Sequence, residues 1–262
     1  MIIDEKHIRE IIRNSLIKEI GFSSIKSSAS SSSSSSDFQK ETGATYSGPL
    51  LTVVGNKKYI GNSQIGLSPP GFWESFRKNL QLHIDKEYPD IGIKIDNLGV
   101  TRELSASVDT SNKDRVSGSK HGAGLAQDVY LHTAKQKFTN YKSDNQRLAK
   151  DKKLVNAIIS FMELPDNNKI LWGGTFGGGG KIKDSMPVGH GITEFHHFEF
   201  KNEFLSEFFK PFEEELKKIG INDVNTIKSI SALADIYNKL LNQPVNTTDP
   251  KEEKKASTEP KT

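Results

Sequence analysis

The sequence predicts an α+β fold, and three observations carry that expectation. Short runs such as IGIKIDNLGV (residues 91–100) alternate apolar and polar residues, the period of a strand with one buried face. Other runs, such as DNQRLAKDKKLVNAIISFMEL (144–164), space apolar residues three and four apart, the period of an amphipathic helix. The two kinds mix irregularly, with no repeated strand–helix–strand unit, which argues against a parallel α/β sheet.

Taken in order, residues 1–25 are expected to form an amphipathic helix. Ile3, Ile8, Ile11, Ile12, Leu16 and Ile20 recur mostly three to five residues apart among charges, and Gly21 is a stop signal. A lone helix of this length is marginal in water, so its stripe should pack on its own domain, on a second copy or on a protein partner. Asp4, Glu5, Glu10 and Glu19 offset the basic residues and disfavour a membrane surface. Residues 26–47 are Ser-rich and read as a flexible linker. Residues 48–242 are the expected folded domain. LLTVV and KKYIG flank Gly55-Asn56 as a hairpin. SPPGFWESFRKNLQLHIDKEY (68–88) reads as a helix opened by Pro70, with Phe72, Phe76 and Leu80 on one face. A strand follows at 91–100, and a second helix at 144–164 with Leu154, Ile158 and Phe161 inward. KILWGG (169–174) and TEFHHFEF (193–200) are strand-like. EFLSEFFKPFEEELKKIG (203–220), interrupted at Pro211, and TIKSISALADIYNKLLN (226–242) read as terminal helices. Residues 243–262 are polar and charged and read as a disordered tail.

Composition narrows the function classes. The chain has 262 residues, no cysteine and a net charge of +3. No disulfide framework is possible, and any metal must be held by nitrogen and oxygen. The charge bias is too small for a nucleic-acid footprint, and the lysine-rich 135–153 region, with only Phe138 and Tyr141 as aromatics, reads as a solvated helix face. No apolar run approaches the ~18 residues of a membrane span. The charged N-terminus lacks the apolar stretch of a secretory signal.

Two polar clusters stand out. In SGSKHGAGLAQDVYLHT (117–133), His121 and Asp128 are seven apart. They would share a face of an ideal helix, but Gly122 and Gly124 favour a loop leading into a strand, so that both side chains converge and a neighbouring backbone can approach closely. In TEFHHFEF, His197 and Glu199 share one face of a strand while His196 and Phe198 take the other. Glu194 can reach the His197 site only if the strand begins after it. His121, Asp128 and His197 are therefore candidate ligands, and two imidazoles with one carboxylate suit Zn²⁺ with one position left for water. Such an ion lowers the water pKa towards neutrality, and Glu194 fits the general base that takes the proton and passes it to a leaving amine.

SKHGAGLAQD resembles the Ser-x-His-x-x-Gly-x-Ala-x-Asp motif of the LAS-type zinc peptidases through Ser119, His121, Gly124, Ala126 and Asp128. That group includes D-alanyl-D-alanine carboxypeptidases and dipeptidases and the L-alanyl-D-glutamate endopeptidases of phage endolysins. Its second motif, an acidic residue, two residues and His, is matched by Glu194 and His197, and LWGGTF resembles the endolysin Trp-Gly-Gly through Trp172, Gly173 and Gly174. The resemblance covers about residues 92–200 and implies a single domain with a small antiparallel sheet and flanking helices. It implies His121, Asp128 and His197 as zinc ligands, Glu194 as base, Ser119 and Trp172 at the substrate, and an upstream cation for the oxyanion; Trp172 reads equally well as a core residue, and the two readings are compatible. Arg102 is the candidate for that cation and Arg115 its rival, because the family's usual Ser-Gly-Tyr-Arg-Ser surroundings are absent. Endolysin members usually carry Asp where this chain has Glu194. The link GGGGKIKDSMPVGHG (177–191) is longer than the family's and reads as a lid or rim, with His190 a rival of His196 for a secondary role. His196 itself reads as a supporting or surface histidine, and His132 as structural.

What the resemblance implies is a hydrolase: a zinc metallopeptidase of bacterial peptidoglycan, cutting L-Ala-D-Glu in preference to D-Ala-D-Ala bonds of the stem peptide. A chain without cysteine or signal suits a bacteriophage lytic enzyme, made in the host cytoplasm and released to the cell wall, or carried in the virion with the N-terminal helix as tether. The alternative is a catalytically inactive zinc-binding domain serving as a virion structural or interaction module.

Overall fold

A left-handed glycine makes the first turn of the folded region. Gly55, at φ 62°, lets β1 (Leu51–Val54) double back onto β2 (Lys57–Ile60), the hairpin expected at Gly55-Asn56. The computed structural model describes residues 46–109, 117–133, 141–176, 187 and 190–244, all within the unit Ser35–Thr262. The expected N-terminal helix, nearly all of the linker and tail, Arg115 and most of the 177–191 link lie outside the described residues.

The remaining elements are α1 (Phe72–Glu87), β3 (Ile93–Gly99), β4 (Val108–Asp109), β5 (Ser117–Gly118), β6 (Ala126–Thr133), α2 (Tyr141–Leu148), α3 (Lys152–Met162), β7 (Ile170–Trp172), α4 (His190–Thr193), β8 (His197–Phe200), α5 (Leu205–Phe209), α6 (Glu213–Lys218) and α7 (Ile230–Leu241). The main sheet has the order β3-β6-β8-β7 and is antiparallel throughout. The fold is thus α+β, with a small antiparallel sheet and helices around it. No described helix is long and apolar enough to cross a membrane.

Two helical expectations change. Gly71 (φ 76°), not Pro70, precedes α1, and the side chains it buries are Trp73, Phe76, Leu80 and Ile84, with Phe72 only half-buried. The expected helix over 144–164 is two helices, because the Asp151 carboxylate accepts from the Lys153 and Leu154 N–H groups and starts α3 afresh. Leu154, Ile158 and Phe161 are buried as expected. Pro211 interrupts the next helix, leaving a 3₁₀ turn between α5 and α6.

The core lies between α1, α3 and the sheet. Phe76 packs edge-on against Phe161 and Phe198, each with ring centroids 5.3 Å away. Phe198 and Phe200 point from β8 into this core and are fully buried. The alternate residues of β8, His197 and Glu199, consequently face the other way, and there the candidate site forms.

Candidate metal centre

The register of the central strands places two of the expected ligands opposite each other: Asp128 of β6 pairs with His197 of β8. The third arrives from the turn that feeds β6. Residues Lys120–Ala123 form a 3₁₀ turn that begins when Ser119 Oγ accepts from the His121 N–H and ends at Gly124, φ 69°. A side chain at Gly124 would overlap the Ile65 carbonyl, so only glycine lets the turn seat against the Ile65–Gly66 backbone. The turn is further pinned by the Tyr237 hydroxyl, which donates to the Ser119 carbonyl at 2.9 Å.

The result is a cluster of three side chains. His197 Nδ1 lies 2.8 Å from Asp128 Oδ1, His121 Nε2 lies 3.3 Å from the same oxygen, and the two ring nitrogens are 3.4 Å apart. His121 and His197 are buried and Asp128 is partly so. Ligand atoms about 2.05 Å from a tetrahedral ion are separated by about 3.3 Å. Two of the three edges already have that length, and the third needs to open by roughly half an ångström. The tautomers also fit. His121 Nδ1–H donates to the Val100 carbonyl at 2.9 Å, which leaves the Nε2 lone pair inward. His197 Nε2–H donates to Glu199 Oε2 at 3.2 Å, so its Nδ1 is the nitrogen that could ligate an ion. A group of two imidazoles and a carboxylate that can hold a divalent metal ion is therefore present; the donor set suits zinc and also other first-row ions.

Electrostatics point the same way. Three carboxylates, from Asp128, Glu194 and Glu199, face two cations, Lys120 and Arg102, so the site is net negative when its histidines are neutral. Burial pushes the Asp128 carboxyl up, but the imidazoles of His121 and His197 outweigh it and hold the group far below the usual carboxylate range. Burial pulls His197 down, and its hydrogen bonds to Asp128 and Glu199 outweigh that, raising it to about 9. In the metal-free protein the protonated His197 contributes stability that is fully present below the ordinary histidine pKa of 6.5 and is lost as pH rises through about 9. An ion held at Nδ1 would need that proton to leave. Titrating zinc into the metal-free protein near pH 7 should therefore release about one proton per ion. Calorimetry in buffers of different ionisation enthalpy reads it, and a heat independent of buffer would contradict the assignment.

The cluster opens into a cleft of about 600 Å³ lined by Arg102, Ser119, His121, Asp128, Thr193, Glu194, His196 and His197. Glu194 is half-buried on its wall. It gets there because β8 begins only at His197: α4 ends at Thr193, and residues 194–196 form a turn closed by the His197 N–H donating to the Glu194 carbonyl at 3.0 Å. That start also overturns the expected position of His196. Strand alternation does not apply to it, and it lies in the same cleft as His197 rather than on the opposite face, 9% exposed with Nε2 3.7 Å from Asp128 Oδ1. Burial, the largest influence, keeps its pKa below the ordinary value. His132 pairs with Asp96 across β3 and β6 at 2.7 Å, away from the centre, while the side chain of His190 lies outside the described residues.

For Trp172 the structure bears out the core reading and corrects the substrate-binding one. It is 1% exposed, which leaves no surface for a substrate, and its Nε1–H donates to the Phe195 carbonyl at 2.7 Å. Its role is to hold the 194–196 turn. The glycine after it serves the same turn, since a Cβ on Gly173 would overlap the Glu194 carbonyl. Arg102 is exposed on the cleft wall and its backbone N–H donates to the His121 carbonyl at 3.0 Å.

Sequence reasoning assigned no role to three residues that support the site. Lys120, 3% exposed, donates from Nζ to Glu199 Oε1 at 2.8 Å and to the Phe200 carbonyl at 2.6 Å. Glu199 thus links a buried ammonium to the His197 ring. Asn145, in α2, reaches His196. Only Glu199 carried a legible signal, its position two residues after His197 on one strand face. No family model, curated protein or solved structure matches the chain.

Proposed function

We propose that the protein is a zinc-dependent peptidase of the LAS type that hydrolyses peptidoglycan stem peptides, with the L-Ala-D-Glu bond preferred over D-Ala-D-Ala. The observation that carries this reading is the position of Glu194: an acid/base group on the wall of an open cleft, beside a two-histidine, one-carboxylate group with its tautomers set for a metal. His121, Asp128 and His197 would hold the ion, which supplies a Lewis acid and a lowered water pKa. Glu194 accepts the proton of the attacking water and delivers it to the amine as the C–N bond breaks. Arg102, reaching the same cleft, offers positive charge to the carbonyl oxygen as it becomes negative. The bond preference rests on the likeness of Trp172-Gly173-Gly174 to the endolysin motif.

The test is mass spectrometry of defined muropeptides after incubation with the purified protein, with chelator and with zinc added back. A fragment that vanishes with chelator and returns with zinc is expected, and its mass names the bond. A protein that holds one zinc and cuts none of these peptides would overturn the reading in favour of a zinc-binding interaction module.

A further inference from the structure

His196 has a hydrogen-bonding state that can be derived. Asn145 is 1% exposed, and its Nδ2 lies 2.7 Å from the Thr193 carbonyl oxygen and 2.7 Å from His196 Nδ1. A carbonyl oxygen only accepts, so the Asn145 atom facing Thr193 is the amide nitrogen and not Oδ1. The other hydrogen of that nitrogen is directed to His196 Nδ1, which must then accept. An imidazole accepting at Nδ1 carries its proton on Nε2. The orientation has a cost: Asn145 Oδ1 is buried without a hydrogen-bond partner among the described residues. The fold tolerates that penalty to keep both N–H groups on Thr193 and His196.

The consequence lies at the other end of the ring. Nε2 of His196 is on the cleft wall, 3.7 Å from Asp128 Oδ1, in the company of Glu194 and Arg102. To act as a fourth ligand it would need the proton on Nδ1, where it would meet the Asn145 amide donor to donor. To act as a donor it keeps the proton on Nε2, where the Asn145 contact places it.

Building on the peptidase reading, we propose that Asn145 locks His196 as an Nε2–H donor to the oxygen of the scissile carbonyl, so that His196 contacts the reacting group and is excluded from the metal. His196 is then a catalytic residue, a fixed and buried donor beside the exposed Arg102, and Asn145 is its positioning residue. A donor held in place before reaction stabilises the developing oxyanion without reorganisation.

Three readouts on the full chain test this. Nitrogen-15 NMR should show His196 as the Nε2–H tautomer in both metal-free and zinc-loaded protein; an Nδ1–H tautomer overturns the proposal whether or not any peptide is cut. His196→Ala should keep one zinc per chain with little change in affinity, since a loss beyond the ~10–100-fold range of an orienting group would mark a ligand and overturn it. His196→Ala should also bind a phosphinate dipeptide, whose tetrahedral anion mimics the oxyanion, about 10²-fold more weakly, and lose kcat on the stem peptide by about 10²–10³ with little change in KM. His196→Gln, which keeps an N–H donor, should recover part of both losses. Unchanged phosphinate affinity in His196→Ala sinks the proposal by itself. Absence of peptide cleavage by the unsubstituted protein sinks the peptidase reading instead, and leaves the NMR and phosphinate results to decide the role of His196.

Discussion

Glu194→Ala should retain one zinc per chain and lose hydrolysis by about 10²–10⁴-fold, the range for removing a positioned acid/base group. The carboxylate is not within the three-residue ligand group, so metal content, read by elemental analysis, should not change. His121→Ala should behave differently and lose both metal and activity, because it removes one of three donors whose mutual spacing already approximates a tetrahedral site. The pair of variants is needed together. Loss of activity with metal retained separates chemistry from binding, whereas residual turnover in Glu194→Ala close to that of the unsubstituted protein would remove Glu194 from its role.

Lys120→Ala is expected to be the most destabilising single change at the site. Lys120 and Glu199 have side chains 1% and 14% exposed and are 2.8 Å apart. Burial, the dominant influence, leaves the Lys120 pKa below its ordinary value, and the Glu199 charge and hydrogen bond offset only part of that. Truncating the lysine leaves Glu199 with its burial cost and one fewer donor, and also strips the Phe200 carbonyl of its partner. Breaking a buried pair from one side costs about 3–5 kcal/mol, readable as a shift of the urea midpoint for the metal-free protein. The double variant Lys120→Met with Glu199→Gln removes the orphaned charge and should regain most of that stability. It should nonetheless bind zinc about 10–100-fold more weakly, because the group that orients the His197 ring is weakened. Full zinc affinity in the double variant would show that Glu199 does not set the tautomer of His197.

Much of this protein could be read along the chain. Period and turn chemistry are local properties, so the hairpin at Gly55-Asn56, the inward faces of Leu154, Ile158 and Phe161 and the break at Pro211 all follow from residues near one another in sequence. The residue types and spacing of His121, Asp128 and His197 in a glycine-rich setting were enough to single them out as candidate ligands. What a linear reading missed depends on where one element stops. Strand alternation sent His196 to the far face, because nothing in TEFHHFEF announces that β8 begins at His197; that boundary is set by Trp172 and Gly173 packing against the preceding turn.

The sequence by itself determined the α+β class and pointed to the candidate donors and the candidate base, since each depends on residue type and short-range pattern. Only the tertiary structure decided which nitrogen of each histidine faces inward. Val100, Glu199 and Asn145 set those states for His121, His197 and His196, from 21, 2 and 51 residues away. A proton's place on an imidazole is decided by the partner across the hydrogen bond, and for His121 and His196 folding alone brings that partner close.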